Sequence, residues 1–215
     1  MAPANLSFED IELRAKNAQL SVMGCVHDEL PAGIKTLVLL GPLEPGFWPV
    51  FSNAAEYSDG AADPLDRWSS RVIENLAQTL GAKAFFPFGG PPHQPFFRWA
   101  KLSGRAHGSP VGLLVHDAAG LMISYRGAIG FSYLISEPKP GSNPCETCVE
   151  RPCLTACPVG ALQGDVYDVE SCKADLERAG NDCMARGCAV RRVCPVSQSY
   201  GRAEAQSAFH MRAFR

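Results

Sequence analysis

Eight of the nine cysteines fall between Cys145 and Cys194. They open as Cys145-x2-Cys148-x4-Cys153-x3-Cys157-Pro158, pass through Cys172, and close as Cys183-x4-Cys188-x5-Cys194-Pro195. Thiols at this density have few physical uses: they ligate a metal ion or a cluster, or they pair as disulfides, and left free they would be an oxidation hazard. Disulfides need an oxidising compartment, and the N-terminus MAPANLSFEDIELR lacks the apolar stretch of a secretory leader. They would also leave the ninth cysteine odd. Zinc favours Cys-x2-Cys knuckles set a dozen or more residues apart, and only Cys145/Cys148 makes one.

A short run ending in Cys-Pro resembles the bacterial ferredoxin loop, which wraps a cubane [4Fe-4S] cluster; in two-cluster versions the Cys-Pro cysteine serves the other cluster. The triplet Cys-Pro-Val occurs twice, at Cys157 and at Cys194, as in a worn repeat. The resemblance implies crossed ligation. Cys145, Cys148, Cys153 and Cys194 would hold one cubane, and Cys157, Cys172, Cys183 and Cys188 the other. Zinc, disulfides, and one cluster with spare cysteines, suggested by the stretched spacings around Cys188, stand as alternatives.

These residues need elements to hold them. The chain has 215 residues, 46% hydrophobic and 20% charged, enough for a packed core and against disorder. A net charge of −2 gives no nucleic-acid signature. No apolar run reaches the ~20 residues of a bilayer span, so the expectation is a cytoplasmic protein of a reducing compartment. From Met184 onward six arginines (Arg186, Arg191, Arg192, Arg202, Arg212, Arg215) face one acid, Glu204. They suit an anionic thiolate-ligated cluster or, equally, a solvated basic tail.

Ser7-x-x-Asp10 predicts a capped helix to about Leu20. Leu37–Leu40, stopped by Gly41-Pro42, predicts a buried strand. Asp63 as N-cap and Pro64 at N1 open a helix with Leu65, Trp68, Val72, Leu76 and Leu80 on one face, ended by Gly81. A strand is expected at Ala84–Phe88, then the loop Gly89-Gly90-Pro91-Pro92-His93-Gln94-Pro95 and one or two helical turns from Phe96 to Leu102. Val111–His116 and Leu121–Ile129 read as two strands joined by Asp117-Ala118-Ala119-Gly120. Residues 136–144 hold three prolines and a glycine, a linker composition. The fold class expected is therefore α+β: an N-terminal layered domain over 1–135, a linker over 136–144, and a small domain of helices and loops over 145–215 whose clusters supply much of its folding energy. Cys25 reads as a buried core thiol. His27, His93, His107 and His116 read as surface or satisfied core residues, and the segment around His210 as an ordinary C-terminal helix.

From Cys145 through Cys157-Pro158-Val159-Gly160-Ala161-Leu162 and Cys172 to Cys194-Pro195, the cysteine order resembles the twin-cluster domain of the epoxyqueuosine reductases, with two extra residues in each of three spacings. Those enzymes couple two cubanes to a cobalamin. The segment carrying that family's catalytic aspartate and Gly-Lys motif is missing. Instead Asp63-Pro64-Leu65-Asp66, Val115-His116 and Gly120-x4-Tyr125-Arg126-Gly127 resemble the cobalamin-processing (cobalamin C type) family. Both resemblances imply a nitroreductase-like N-terminal layer that cradles a corrinoid, Arg126 meeting a glutathione carboxylate or another anionic group. A guanidinium fork takes a carboxylate bidentately; an Arg126 paired with an acid at the core edge is the alternative. Tyr125 belongs to the same motif, and Gly89-Gly90 is either a close approach for a macrocycle or a plain turn.

The N-terminal sequence has no Gly-x-Gly-x-x-Gly fingerprint and no Walker loop, and no side chain stands out as a general acid or base. Three functions remain: an oxidoreductase whose clusters pass single electrons, from a low-potential donor, to a corrinoid; an electron carrier docking a partner oxidoreductase; and a flavin-linked reductase.

Overall fold

The computed structural model describes residues 6–137, 139 and 141–215. The described helices and strands mix α and β, as expected for α+β. They divide into two compact units: residues 1–105 with 124–140, and residues 106–123 with 141–215. The expected linker falls beside the last crossing between units; its residues Pro138 and Pro140 lie outside the described residues.

In the N-terminal unit α1 (Phe8–Asn17) starts on a complete capping box: the Ser7 hydroxyl accepts from the Asp10 N–H, and the Asp10 carboxylate accepts from the Ser7 N–H. The helix stops before Leu20 because Gln19 turns to φ 60°, and Leu20 instead opens β1 (Leu20–Val26). β2 (Thr36–Pro42) is buried along its whole length. α2 (Phe47–Ser52) and α3 (Ala55–Ser58) follow, then α4 (Pro64–Leu80), β3 (Lys83–Phe85) and α5 (Phe96–Leu102). The chain next forms β4 (Ala106–Gly108) and β5 (Leu114–His116) in the other unit and returns as β6 (Gly127–Phe131). The antiparallel sheet runs β1-β2-β6-β3, so β2 and β6 are central and fully buried.

α4 packs on β3 and β6 through Leu65, Trp68, Ile73, Leu76 and Leu80. The stripe differs from expectation at one step, Ile73 being buried while Val72 stays half-buried. Asp63 occupies the N-cap position but its side chain makes no capping bond, because its backbone is left-handed at φ 50°. Phe47 and Phe51 stack at 5.7 Å and meet Trp68 edge-on, closing this end of the core.

Three expected strands need correction. Leu121–Ile129 is not one strand: Leu121 is a core residue of the C-terminal unit, and only Gly127–Phe131 pairs in the sheet. Val111–His116 shortens to β5, which pairs with β4, because Gly112 turns back through a hydrogen bond to Ser109. Likewise β3 ends at Phe85, short of Phe88.

The C-terminal unit is built of short pieces: α6 (Pro144–Thr147), a 3-10 turn at Pro152–Leu154, the hairpin β7 (Leu162–Gln163)/β8 (Val166–Tyr167), α7 (Val169–Leu176), α8 (Asp182–Arg186), α9 (Ala189–Arg192), α10 (Pro195–Ser199) and α11 (Glu204–Phe214). α11 packs on α8, burying Gln206, Ser207 and Ala208. Among the described residues no helix is long and apolar enough to cross a membrane.

Candidate functional site

Seven of the eight cysteines of the C-terminal unit lie within or at the ends of short helices or the 3-10 turn, and Cys157 lies in the loop that follows that turn. Asn143 accepts from the Cys145 N–H at 3.0 Å and so starts α6, with Cys148 at its end. Cys153 lies buried in the 3-10 turn. Cys194 precedes Pro195 at the start of α10, Pro195 occupying a first-turn position where no N–H is needed. Asp168 caps α7, which carries Cys172, and Asn181 caps α8, which carries Cys183. Cys188 stands at the start of α9.

Space sorts these thiols into two groups. Cys145, Cys148, Cys153 and Cys194 line one cavity of ≈ 220 Å³, otherwise walled largely by apolar groups such as Val115, Leu121 and Pro152. Burial raises the Cys145 pKa, and the neighbouring Cys153, Cys194 and Cys148 add to the rise while Arg151 opposes it. Burial likewise raises Cys153, against N–H donors of the 153–154 backbone. The other four form a second group: burial raises Cys172, with Cys188 and Cys157 adding to it, and burial raises Cys183, with Cys188 adding to it. Like charges at such proximity disfavour one another, and a cation or a cationic core among the sulfurs would relieve that repulsion.

One apolar core of Val111, Val115, Leu121, Cys153, Leu162 and Val190 lies against cysteines of both groups, with Cys145, Cys194, Cys157 and Cys188 packed on it. All nine cysteines are unbridged. Among the described residues no three His, Cys, Asp or Glu side chains converge tightly enough for a single metal ion. Four thiolates around a cubane each bind a different iron and stand farther apart than the ligands of one ion.

Several donors that sequence reasoning missed point at the sulfurs. The Ala161 N–H donates to Cys157 Sγ at 3.2 Å, and the Tyr167 hydroxyl donates to Cys172 Sγ at 3.4 Å. The Ala189 N–H favours the Cys183 thiolate. Arg191 donates to the Leu121 carbonyl and lies in electrostatic reach of Cys188 and Tyr167. The basic tail is thus only partly solvated: Arg186 pairs with Glu204 at 2.7 Å and with Asp182, and Arg192 with Asp182.

In the N-terminal unit Arg126 is 9% exposed, its Nε donating to Ser69 Oγ at 3.0 Å and its Nη2 to the Asp66 carboxylate. Burial pulls its pKa down and Asp66 opposes the pull. Its guanidinium also lies over the Phe88 ring at 5.5 Å, which brings it beside the start of the Gly89-Gly90 loop. Asp66 belongs to the Asp63-Pro64-Leu65-Asp66 motif, so the signal for this pair was present in the sequence. Gly89 is a turn residue at φ 80° with open space beside it, while Gly90 abuts His93. Tyr125 tilts against Phe96 with centroids 6.4 Å apart.

His116 is fully buried, its Nδ1 accepting from the Ala118 and Ala119 N–H groups at 3.1 and 3.3 Å, a satisfied core histidine. Cys25, 2% exposed, accompanies Glu137, whose carboxylate accepts from the Cys25 N–H at 3.0 Å. Burial and the Glu137 charge both raise the Cys25 pKa far above the usual thiol range. Since the thiolate is the reactive form, Cys25 is expected to resist iodoacetamide in the folded protein and to be alkylated only on unfolding. Peptide mass mapping before and after denaturation checks this.

No family model, curated protein or solved structure matches the chain.

Proposed function

We propose that this chain is an iron–sulfur redox protein with two [4Fe-4S] clusters in its C-terminal unit. The observation that supports this is the sorting of eight cysteines into the two sets of four that the ferredoxin-like pattern implies. The residues fit such groups: the thiols are partly buried, apolar side chains back them, and N–H, O–H and guanidinium groups face the sulfurs. When bound, cubanes supply single electrons over a range of roughly −700 to +450 mV set by their surroundings. The chain's own part is to exclude water through Val115, Leu121, Leu162 and Val190, and to favour the thiolates through the donors at Cys157, Cys172 and Cys183.

The acceptor follows from the resemblances: a corrinoid held by a nitroreductase-like N-terminal unit, in cobalamin reduction or processing or a corrinoid-dependent reduction. The reading as an electron carrier docking a partner has its own support, since Arg126, the expected anion receptor, is already engaged by Asp66 and Ser69. A flavin-linked reductase rests on fold analogy alone.

Anaerobic reconstitution followed by metal analysis and electron paramagnetic resonance is expected to give about eight irons per chain in two cubanes. Zinc, or half that iron, would overturn the two-cluster reading. Titration of the loaded protein with cob(II)alamin then separates the acceptors. A base-off cobalt signal at one equivalent supports the corrinoid, and an unchanged cobalamin spectrum supports the carrier.

A further inference from the structure

The two cysteine groups are not equivalent. The first has Arg151 beside Cys145 and N–H donors of residues 153–154 at Cys153. The second has the Ala161 N–H on Cys157, the Ala189 N–H at Cys183, the Tyr167 hydroxyl on Cys172 and Arg191 facing Cys188. Asp175 and Asp182 also face the second group, but each is held by other side chains. Asp175 accepts from Asn181 at 2.8 Å and pairs with Arg178, and Asp182 pairs with Arg186 and Arg192. Arg191, by contrast, spends a donor on a carbonyl and keeps its charge beside Cys188.

Tyr167 is held for this task. It sits on β8, and its ring stacks on Phe214 at 6.1 Å and 13°. Lys173 lies over the far ring at 5.5 Å, so the last turn of α11 braces the hydroxyl toward Cys172.

Building on the two-cluster reading, we propose that Tyr167 and Arg191 raise the potential of the cluster at Cys157, Cys172, Cys183 and Cys188 above that of its neighbour, so that electrons run from the first group to the second. The reason is electrostatic. Reduction adds a negative charge to the thiolate-ligated group, and an O–H donor or a nearby cation favours the reduced form.

The test is an anaerobic redox titration, followed by electron paramagnetic resonance, of wild type, Tyr167→Phe and Arg191→Gln, each with its iron counted. Phenylalanine keeps the stack on Phe214 and removes only the hydroxyl. Glutamine keeps an N–H for Leu121 and removes the charge. Wild type is expected to show two midpoint potentials. Each variant is expected to lower the higher one by roughly tenfold in the reduced-to-oxidised ratio, about 59 mV: Tyr167→Phe through the loss of one hydrogen bond to a charged group, Arg191→Gln through the loss of one nearby cation. The lower potential should not move. With about eight irons retained, unmoved potentials, or movement of the lower one, would overturn this assignment and leave the two-cluster reading standing. A wild type that takes up no iron overturns both.

Discussion

On the two-cluster reading, Cys194→Ser should remove the same cluster that Cys145→Ser removes, although Cys194 lies at the far end of the cysteine region and opens the second Cys-Pro-Val triplet. The cavity is the reason: Cys194 lines it together with Cys145, Cys148 and Cys153. Either variant is expected to retain about four of eight irons, with the spectrum of one remaining cubane. Cys157→Ser should instead remove the other cluster, despite its closeness in sequence to Cys153. Loss of metal is among the few single-site changes that cost more than about 4 kcal/mol, since binding a group like this is coupled to folding. The small C-terminal elements, most of them five residues or fewer, have little else to hold them. Their melting should separate from that of the N-terminal unit in calorimetry. The decisive measurement is the pair of double variants. Cys145→Ser with Cys194→Ser should keep about half the iron, and Cys145→Ser with Cys157→Ser close to none. The reverse pattern, with close to none in the first and about half in the second, would show that the sets are not crossed.

Features that depend on local chemistry were legible. The capping box at Ser7 and Asp10 needs only residues three apart, and α4 announces itself by periodicity and by Gly81. The crossed grouping of the cysteines was an expectation carried by the ferredoxin resemblance; the structure itself gives that Cys194 lines one cavity with Cys145, Cys148 and Cys153. What failed was tertiary. The apolar run from Leu121 onward has the composition of a strand, yet Leu121 is buried in the C-terminal unit and the chain joins the sheet only at Gly127. Alternation along one segment cannot show which of two cores claims each residue. β1 went unread because the α1 pattern runs up against it and Gly24 interrupts it. Tyr167 was invisible as a partner of sulfur, because a two-strand hairpin orients it, and Arg191 was one of six arginines offered by the basic run, with nothing in the sequence to show that a carbonyl on a distant segment orients it. The Arg126 alternatives were both stated from sequence, and only the position of α4 places Asp66 and Ser69 against the guanidinium.

Gly120→Ala is expected to weaken the first cluster selectively, through the backbone that carries Cys194. Gly120 has φ +58°, a left-handed conformation that costs an L side chain about 1–2 kcal/mol. Its position is more confined than that angle alone implies. A Cβ there would lie 2.5 Å from the Ser197 nitrogen and 3.0 Å from the Val196 carbonyl carbon. Those are backbone atoms at the start of α10, the element that Cys194 begins, so no side-chain rotation relieves the overlap. Overpacking of this kind adds about 1–3 kcal/mol, for a total of roughly 2–5 kcal/mol. Gly120 also exchanges backbone hydrogen bonds with His116 at 2.9 and 3.0 Å, which tie the loop to β5 and prevent it from moving away. The displacement therefore falls on residues 194–197 and alters the reach of Cys194 into the cavity. Reconstituted Gly120→Ala should hold less iron, with the deficit in the cluster that Cys194→Ser removes, and the remaining cluster should keep its potential. Equal loss from both clusters would show that the glycine supports the whole unit, and full iron at both would show that α10 shifts without moving its cysteine.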